Sequence, residues 1–324
     1  MPRPAPPAAL ALLVGLAAAC APPPMPTRPP AAAASAPPWP AERPDAALQA
    51  AVEAAAEGFD GAVGVYVRHL PTGRAAALRA DETFPTASTV KVPILVGVFD
   101  RVEAGGLSLG QTLTFHDSLR YGDEGLFSQL QDGAAVALHV AVEQMLSASD
   151  NTASLWLQAL AGPDHVNGWL AAHGFAVTRV NSRTPGREAE YERWGWGQTT
   201  PREMATLVRR IVDGQAVSPA ADLEMHRLLT RTHYDDEAVS QVPPSVQVAS
   251  KQGAVMESRS EVAYVHAPSG PYVFCVVTRD QGDLRYAPDN AGYRLIRRMS
   301  RLFWATFEPG SGWRPPPGSE RFRL

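Results

Sequence analysis

Cysteine is almost absent from this 324-residue chain, which carries only Cys20 and Cys275. Two thiols cannot build a disulfide framework, so the fold must rest on its apolar core. Charge of one sign is lacking too: 29 Lys and Arg stand against 33 Asp and Glu, a formal net charge of −4. A surface that tracks phosphates needs a basic excess, so this balance argues against a nucleic-acid partner. No apolar run reaches the ~18–20 residues that a membrane-spanning helix requires. Hydrophobic residues at 45% and charged residues at 19% are the composition of a chain that folds. The eight histidines, among them His116, His226 and His233, show no compact ligand spacing, so neither a metal nor another cofactor is expected.

Proline is plentiful but uneven: 14 of its 30 residues fall within the first 44. Met1–Pro7 carries Arg3 and no acid, Ala8–Ala19 is a short apolar stretch, and Cys20 follows three alanines. That order reads as a secretory signal over residues 1–20, too short to be an anchor by itself. Cys20 after small residues resembles a bacterial lipoprotein site, although Leu16 sits one position early; the alternative is simple cleavage with Cys20 incidental. Residues 21–44 are rich in Pro and Ala and read as a semi-extended linker. The protein is therefore expected across the inner membrane, either periplasmic or attached to the membrane through lipidated Cys20. Cys275, left without a partner in an apolar strand-like run, is expected to be a buried core thiol.

From Asp45 the pattern becomes regular. A capped alanine-rich helix over Asp45–Phe59 is followed by strands at Gly61–His69 and Ala75–Ala80 around a Pro71-Thr72-Gly73 turn. Helices are predicted at Ser88–Glu103, Leu138–Leu146, Asn151–Leu160, Pro163–His173, Pro201–Asp213 and Ala220–Thr230. Strands follow at Val246–Lys251, Glu261–His266 and Tyr272–Thr278, then an amphipathic helix at Asn290–Phe307. Two early strands cannot form a stable sheet alone, so they must pair with the late ones. Residues 45–307 thus read as one α/β domain, an antiparallel sheet flanked by helices with a helical insertion, followed by an irregular tail over residues 308–324. It is expected to be a monomer.

Lysine is as scarce as cysteine: only Lys91 and Lys251 break a run of 27 arginines. Arginine does not give up its proton in a protein, whereas a buried or crowded ammonium does. Ser88-Thr89-Val90-Lys91 sets a hydroxyl and an amine on one helical face, and the apolar Val92–Val96 run then buries the amine. Ser149-Asp150-Asn151 lies between two predicted helices, where helix capping is the plainer explanation taken alone. Lys251-Gln252-Gly253 closes a strand ahead of Ala254.

Taken in order and at these separations, the three elements resemble the penicillin-recognising serine hydrolases, most nearly the class A β-lactamases. The resemblance runs from about residue 47 to 307. It includes Phe84-Pro85, Thr152-Ala153, Thr199-Thr200-Pro201 and Met204-Ala205-Thr206. It implies Ser88 as the acylated nucleophile and Lys91 as the base that takes its proton. Ser149 would relay the proton to the leaving nitrogen, Asn151 would hold Lys91 and the substrate amide, and Lys251 would pair with the substrate carboxylate. The N–H groups of Ser88 and Ala254 would form the oxyanion hole beside Gly253.

The match breaks at the loop acid that activates the deacylating water. Counted back from Thr200-Pro201, that position is Thr184, which cannot serve as a base. Glu188, four residues on, would reach the same water if the loop keeps a helical turn; otherwise Glu188, Glu190 and Glu192 form a solvated charged loop. Gln252 replaces the usual threonine and should alter carboxylate recognition, with Arg259 either a compensating cation or a structural one. Trp194-Gly195-Trp196 reads as a packing anchor. The expected activity is acylation of Ser88 by a β-lactam or related cyclic amide, followed by hydrolysis. The alternatives are a D,D-peptidase acting on peptidoglycan stem peptides and a slow-turnover acyl-binding sensor.

Overall fold

The computed structural model describes residues 39–122 and 125–319. The signal, Cys20 and most of the linker lie outside these described residues. Strands β1 (Arg43–Pro44), β2 (Ala62–His69), β3 (Arg74–Leu78) and β4 (Phe84–Pro85) bracket helix α1 (Ala46–Ala56). Then come α2 (Lys91–Glu103), β5 (Thr112–Thr114), β6 (Ala135–Ala137), α3 (Leu138–Ser147), α4 (Asn151–Ala161) and α5 (Pro163–Ala172). The chain continues through β7 (Arg179–Val180), α6 (Glu188–Trp194), β8 (Gly197–Thr199), α7 (Pro201–Val212) and α8 (Pro219–Leu229). It returns to the sheet with β9 (Val248–Val255), β10 (Ser258–Val265) and β11 (Tyr272–Arg279), and α9 (Ala291–Phe307) follows.

The main sheet has the order β1-β3-β2-β11-β10-β9. The early hairpin joins the late strands through β2 and β11, Cys275 facing Tyr66, as the shortage of early strands requires. All its ladders are antiparallel except β1 with β3. That exception moves a boundary. Residues 39–44 belong to the packed body, with Trp39 Nε1 donating to Asp213 (2.8 Å), Tyr66 to Glu42 (2.7 Å), and β1 lying against Arg74-Ala75.

Two cores sandwich the sheet. On one face Val65, Val67, Ala263, Phe274 and Val276 meet Leu295, Ile296, Met299 and Phe303, the apolar stripe of α9. On the other, Tyr66, Val262, Val273 and Cys275 meet the helical insertion, with α2 at its centre. Nine consecutive residues of α2, Lys91 to Phe99, are buried. Pro93 is tolerated because it lies in the first turn, where N–H groups have no intrahelical acceptor. Cys275 is buried without a disulfide, and burial pushes its thiol well above its ordinary pKa. Among the described residues, no helix is long and apolar enough to cross a membrane.

Candidate active site

Ser88 sits in a 3-10 turn, Ala87–Val90, that runs directly into α2. One turn later the buried Lys91 Nζ lies 3.0 Å from Ser88 Oγ. From the far side, the bend between α3 and α4 brings Ser149 O to 2.7 Å, Ser149 Oγ to 3.0 Å and Asn151 Oδ1 to 2.8 Å of the same nitrogen. Asp150 takes the capping role, accepting from Ala153 N (2.8 Å) and Phe127 N (2.9 Å). That leaves Ser149 and Asn151 free to face the lysine. Ala87 (φ 47°) and Ser149 (φ 56°) both adopt left-handed backbone, a local cost that recurs at functional sites.

Lys251 completes the cluster. Its buried Nζ donates to Ser149 Oγ (3.1 Å) and Gln252 O (2.9 Å), so one hydroxyl bridges two amines. Burial, then the neighbouring Lys251 charge, hold Lys91 well below its ordinary pKa, against the pull of Asp150. Burial also pushes Lys251 down, to about 8, but Glu237 and Glu261 oppose the shift.

Strand β9 runs past Lys251 to Val255, so the Lys-Gln-Gly triplet lies inside a strand rather than at its close. A Cβ at Gly253 would fall 2.7 Å from Ser88 N and 2.8 Å from Ser260 Oγ. Only glycine lets the edge strand approach Ser88 this closely. Register pairs Gln252 with Glu261 and places both away from Lys251, on the α9 side of the sheet. Arg259 is fully buried, bonding Ser258 O (2.9 Å) and Arg285 O (2.7 Å), and so braces the β9–β10 turn.

A cavity of about 530 Å³ opens over Ser88, lined also by Tyr121, Asn151, Trp196, Ala254 and Met256. Glu188 is not part of it. The residue opens α6, a helix formed where a charged loop was the plainer expectation, and its Oε1 accepts from Gly186 N (3.1 Å). It lines a neighbouring hollow of about 720 Å³ with Thr184 and Tyr191. Tyr121 and Trp196, in edge-to-face contact at 5.0 Å, line both hollows. Trp196 is thus a dividing wall as well as an anchor. Thr184 is buried, its hydroxyl within reach of Ser182 O (3.1 Å) and Val180 O (3.2 Å). Arg187 closes the loop base through Asn181 Oδ1 (2.8 Å) and Gln198 Oε1 (3.0 Å). Among the described residues no group of His, Cys, Asp or Glu could hold a metal ion.

The profile of the β-lactamase enzyme family matches residues 46–307. The chain belongs to that family. It is 29% identical to a β-lactamase of Streptomyces albus G over 232 residues, covering 67% of this chain and 72% of that one. The AER-1 β-lactamase of Aeromonas hydrophila is 27% identical, with 68% and 73% covered. Among solved structures, PBP-A superposes with a TM-score of 0.75 at 27% identity, over 84% of this chain and 99% of its own. A β-lactamase of Sphaerobacter thermophilus gives 0.72 at 28%, over 81% and 97%. The protein is accordingly a serine hydrolase of β-lactamase type with a β-lactam as its small-molecule substrate.

Proposed function

We propose that this member acylates efficiently at Ser88 and releases the acyl group slowly. The observation that carries the reading is the set of neighbours around Lys91 Nζ. A backbone carbonyl and the Asn151 Oδ1 atom can only accept, and a neutral amine has two N–H donors for them and one lone pair left over. That lone pair is available for the proton of the Ser88 hydroxyl, 3.0 Å away, while Ser149 Oγ, equally near, is placed to pass the proton on. Ser88 Oγ then attacks the ring carbonyl, whose oxygen receives the N–H groups of Ser88 and Ala254. The proton passes from Lys91 through Ser149 to the departing nitrogen, and the Lys251 ammonium pairs with the substrate carboxylate.

Slow release follows from what faces the ester. Threonine stands where the family has its loop acid, and Glu188 lies behind Tyr121 and Trp196. Among the described residues, the carboxylates that line the Ser88 cavity are Glu257 and Asp280, which lie just past strand ends. A D,D-peptidase or penicillin-binding reading is favoured by the same observation and by the likeness to PBP-A, a variant of which was solved as its penicillin G acyl-enzyme. Export by the residue 1–20 signal, with lipid on Cys20, is proposed on the order of Arg3, the Ala8–Ala19 stretch and the small residues before Cys20.

Mixing the protein with a chromogenic cephalosporin and then recording intact mass tests the reading. A stoichiometric adduct on Ser88 that decays slowly is expected. Fast turnover without an adduct would overturn slow release, and neither adduct nor turnover would overturn the whole scheme.

A further inference from the structure

Beneath the edge strand lies a group of polar side chains that the acylation scheme does not use. Glu237 and Glu261 are both buried, and Glu261 Oε2 accepts from Ala238 N at 2.7 Å, which ties the two residues together. Glu261 stands opposite Gln252 on the neighbouring strand, next in sequence to Lys251, and Ser250 stands opposite Ala263 on the same face. Glu237 Oε2 is buried without a hydrogen-bond partner, and the Ser250 hydroxyl lies beside Glu261. Two bare carboxylates could not persist together there, because burial penalises each charge and each repels the other. Protons must therefore reside on the pair.

We propose that Glu237 and Glu261 form a proton-holding carboxyl pair under β9 that keeps the Lys251 ammonium charged, which makes them positioning residues acting through Lys251. This rests on the reading that Lys251 binds the substrate carboxylate. The physical reason is a competition for protons. Lys91 and Lys251 share Ser149 Oγ, and two buried ammoniums so close cannot both be comfortable. Lys91 feels the charge of Asp150, whereas the two glutamates act on Lys251 from the opposite face of β9. As the medium becomes alkaline, a carboxylic acid of the pair gives up its proton in place of the lysine. The new carboxylate then stabilises the ammonium. Protons only leave to solvent; no bond between heavy atoms is made or broken.

The other titratable and charged groups around the pair are Asp236 on its own segment, Arg297 and Tyr293 of α9, and Cys275 of β11. Burial first, then the Glu261 and Asp236 charges, push Glu237 upward against Arg297 and Lys251; burial, then Asp236, push Glu261 upward against the Ala238 N–H, Lys251 and the Ser250 hydroxyl. Removing the pair leaves Lys251 as the group that must deprotonate.

The test is the pH profile of Ser88 acylation by penicillin G, which carries a carboxylate, followed by intact mass for the wild type, Glu261→Gln, Glu261→Asp and the double variant E237Q/E261Q. The wild-type to variant rate ratio should grow from about pH 6.5 to about pH 9, with the alkaline limb of Glu261→Gln moved about one unit toward lower pH. The double variant should move at least as far, and Glu261→Asp should recover part of the shift. Superimposable alkaline limbs in folded variants would overturn the proposal, as would an equal rate loss at every pH. A wild type that penicillin G does not label at any pH would instead remove the underlying reading. Thermal melts establish folding, and should E261Q not fold, Glu237→Gln alone is judged by the same profile.

Discussion

In the proposed scheme Lys91 works through what its amine can lose. Replacing it with arginine keeps the charge and much of the length but removes the lone pair, because guanidinium stays protonated. Acylation in K91R should fall by about 10²–10⁴-fold, the usual worth of a general base, with little change in thermal midpoint. Stopped-flow adduct formation measures the first and a melting curve the second; near-normal labelling would mean another group takes the Ser88 proton. Glu188 makes a separate case. Its carboxylate caps Gly186 N in the adjoining hollow, so Glu188→Gln should leave both formation and decay of the adduct unchanged. A variant that decays more slowly but forms normally would show that the residue reaches the deacylating water after all. At this scale the sequence was most legible where chemistry restricts residue type: two lysines among arginines marked the site. It was least legible for Glu237 and Glu261, since nothing local in Asp235-Asp236-Glu237 distinguishes a buried acid from a solvated turn.

Among the elements, β9 determines whether the site is assembled. Its glycine lets the edge strand touch the backbone of Ser88, with Ser260 Oγ close by and donating to Thr86 O at 3.1 Å. Gly253→Ala should force the strand outward and misplace the Ala254 N–H. A displacement on the order of 1 Å costs about 10²-fold in rate, so acylation should drop by that order while circular dichroism stays normal. Unimpaired labelling would mean that the strand yields without moving the oxyanion hole. Periodicity located nearly every helix and long strand within a few residues, because one-sided burial imposes a readable repeat. It did not disclose α6: Glu188–Trp194 carries three acids and one arginine with no buried face, and the loop that holds it is closed at its base by Arg187, Asn181 and Gln198. The extent of β9 was likewise hidden, because its end is fixed by pairing with β10.

For the whole molecule, buried acids tie stability to pH. Glu261 has a folded pKa raised to about 8, mainly by burial, above its ordinary value of 4.5. A raised acid contributes stability that is complete below the unfolded value and is lost as pH rises through the folded one. E261Q carries no such titration, so its melting temperature relative to the wild type should climb between about pH 5 and pH 8. Parallel melting curves across that range would show that the residue is charged, or protonated, in both states throughout. The domain plan was readable from the scarcity of early strands, since a lone hairpin has to find partners. The packing of residues 39–44 was not, for a proline-rich run gives no sign of which residues meet a surface.

Tyr121 and Trp196 stand in contact between the Ser88 cavity and the hollow that Glu188 lines. Under the proposed slow release, such a partition would decide whether a β-lactam is destroyed or merely held. Trimming either ring would join the hollows and admit solvent from the Glu188 side to the ester. On the proposed scheme, a smaller residue in that doorway would give the site access to a carboxylate the chain already carries.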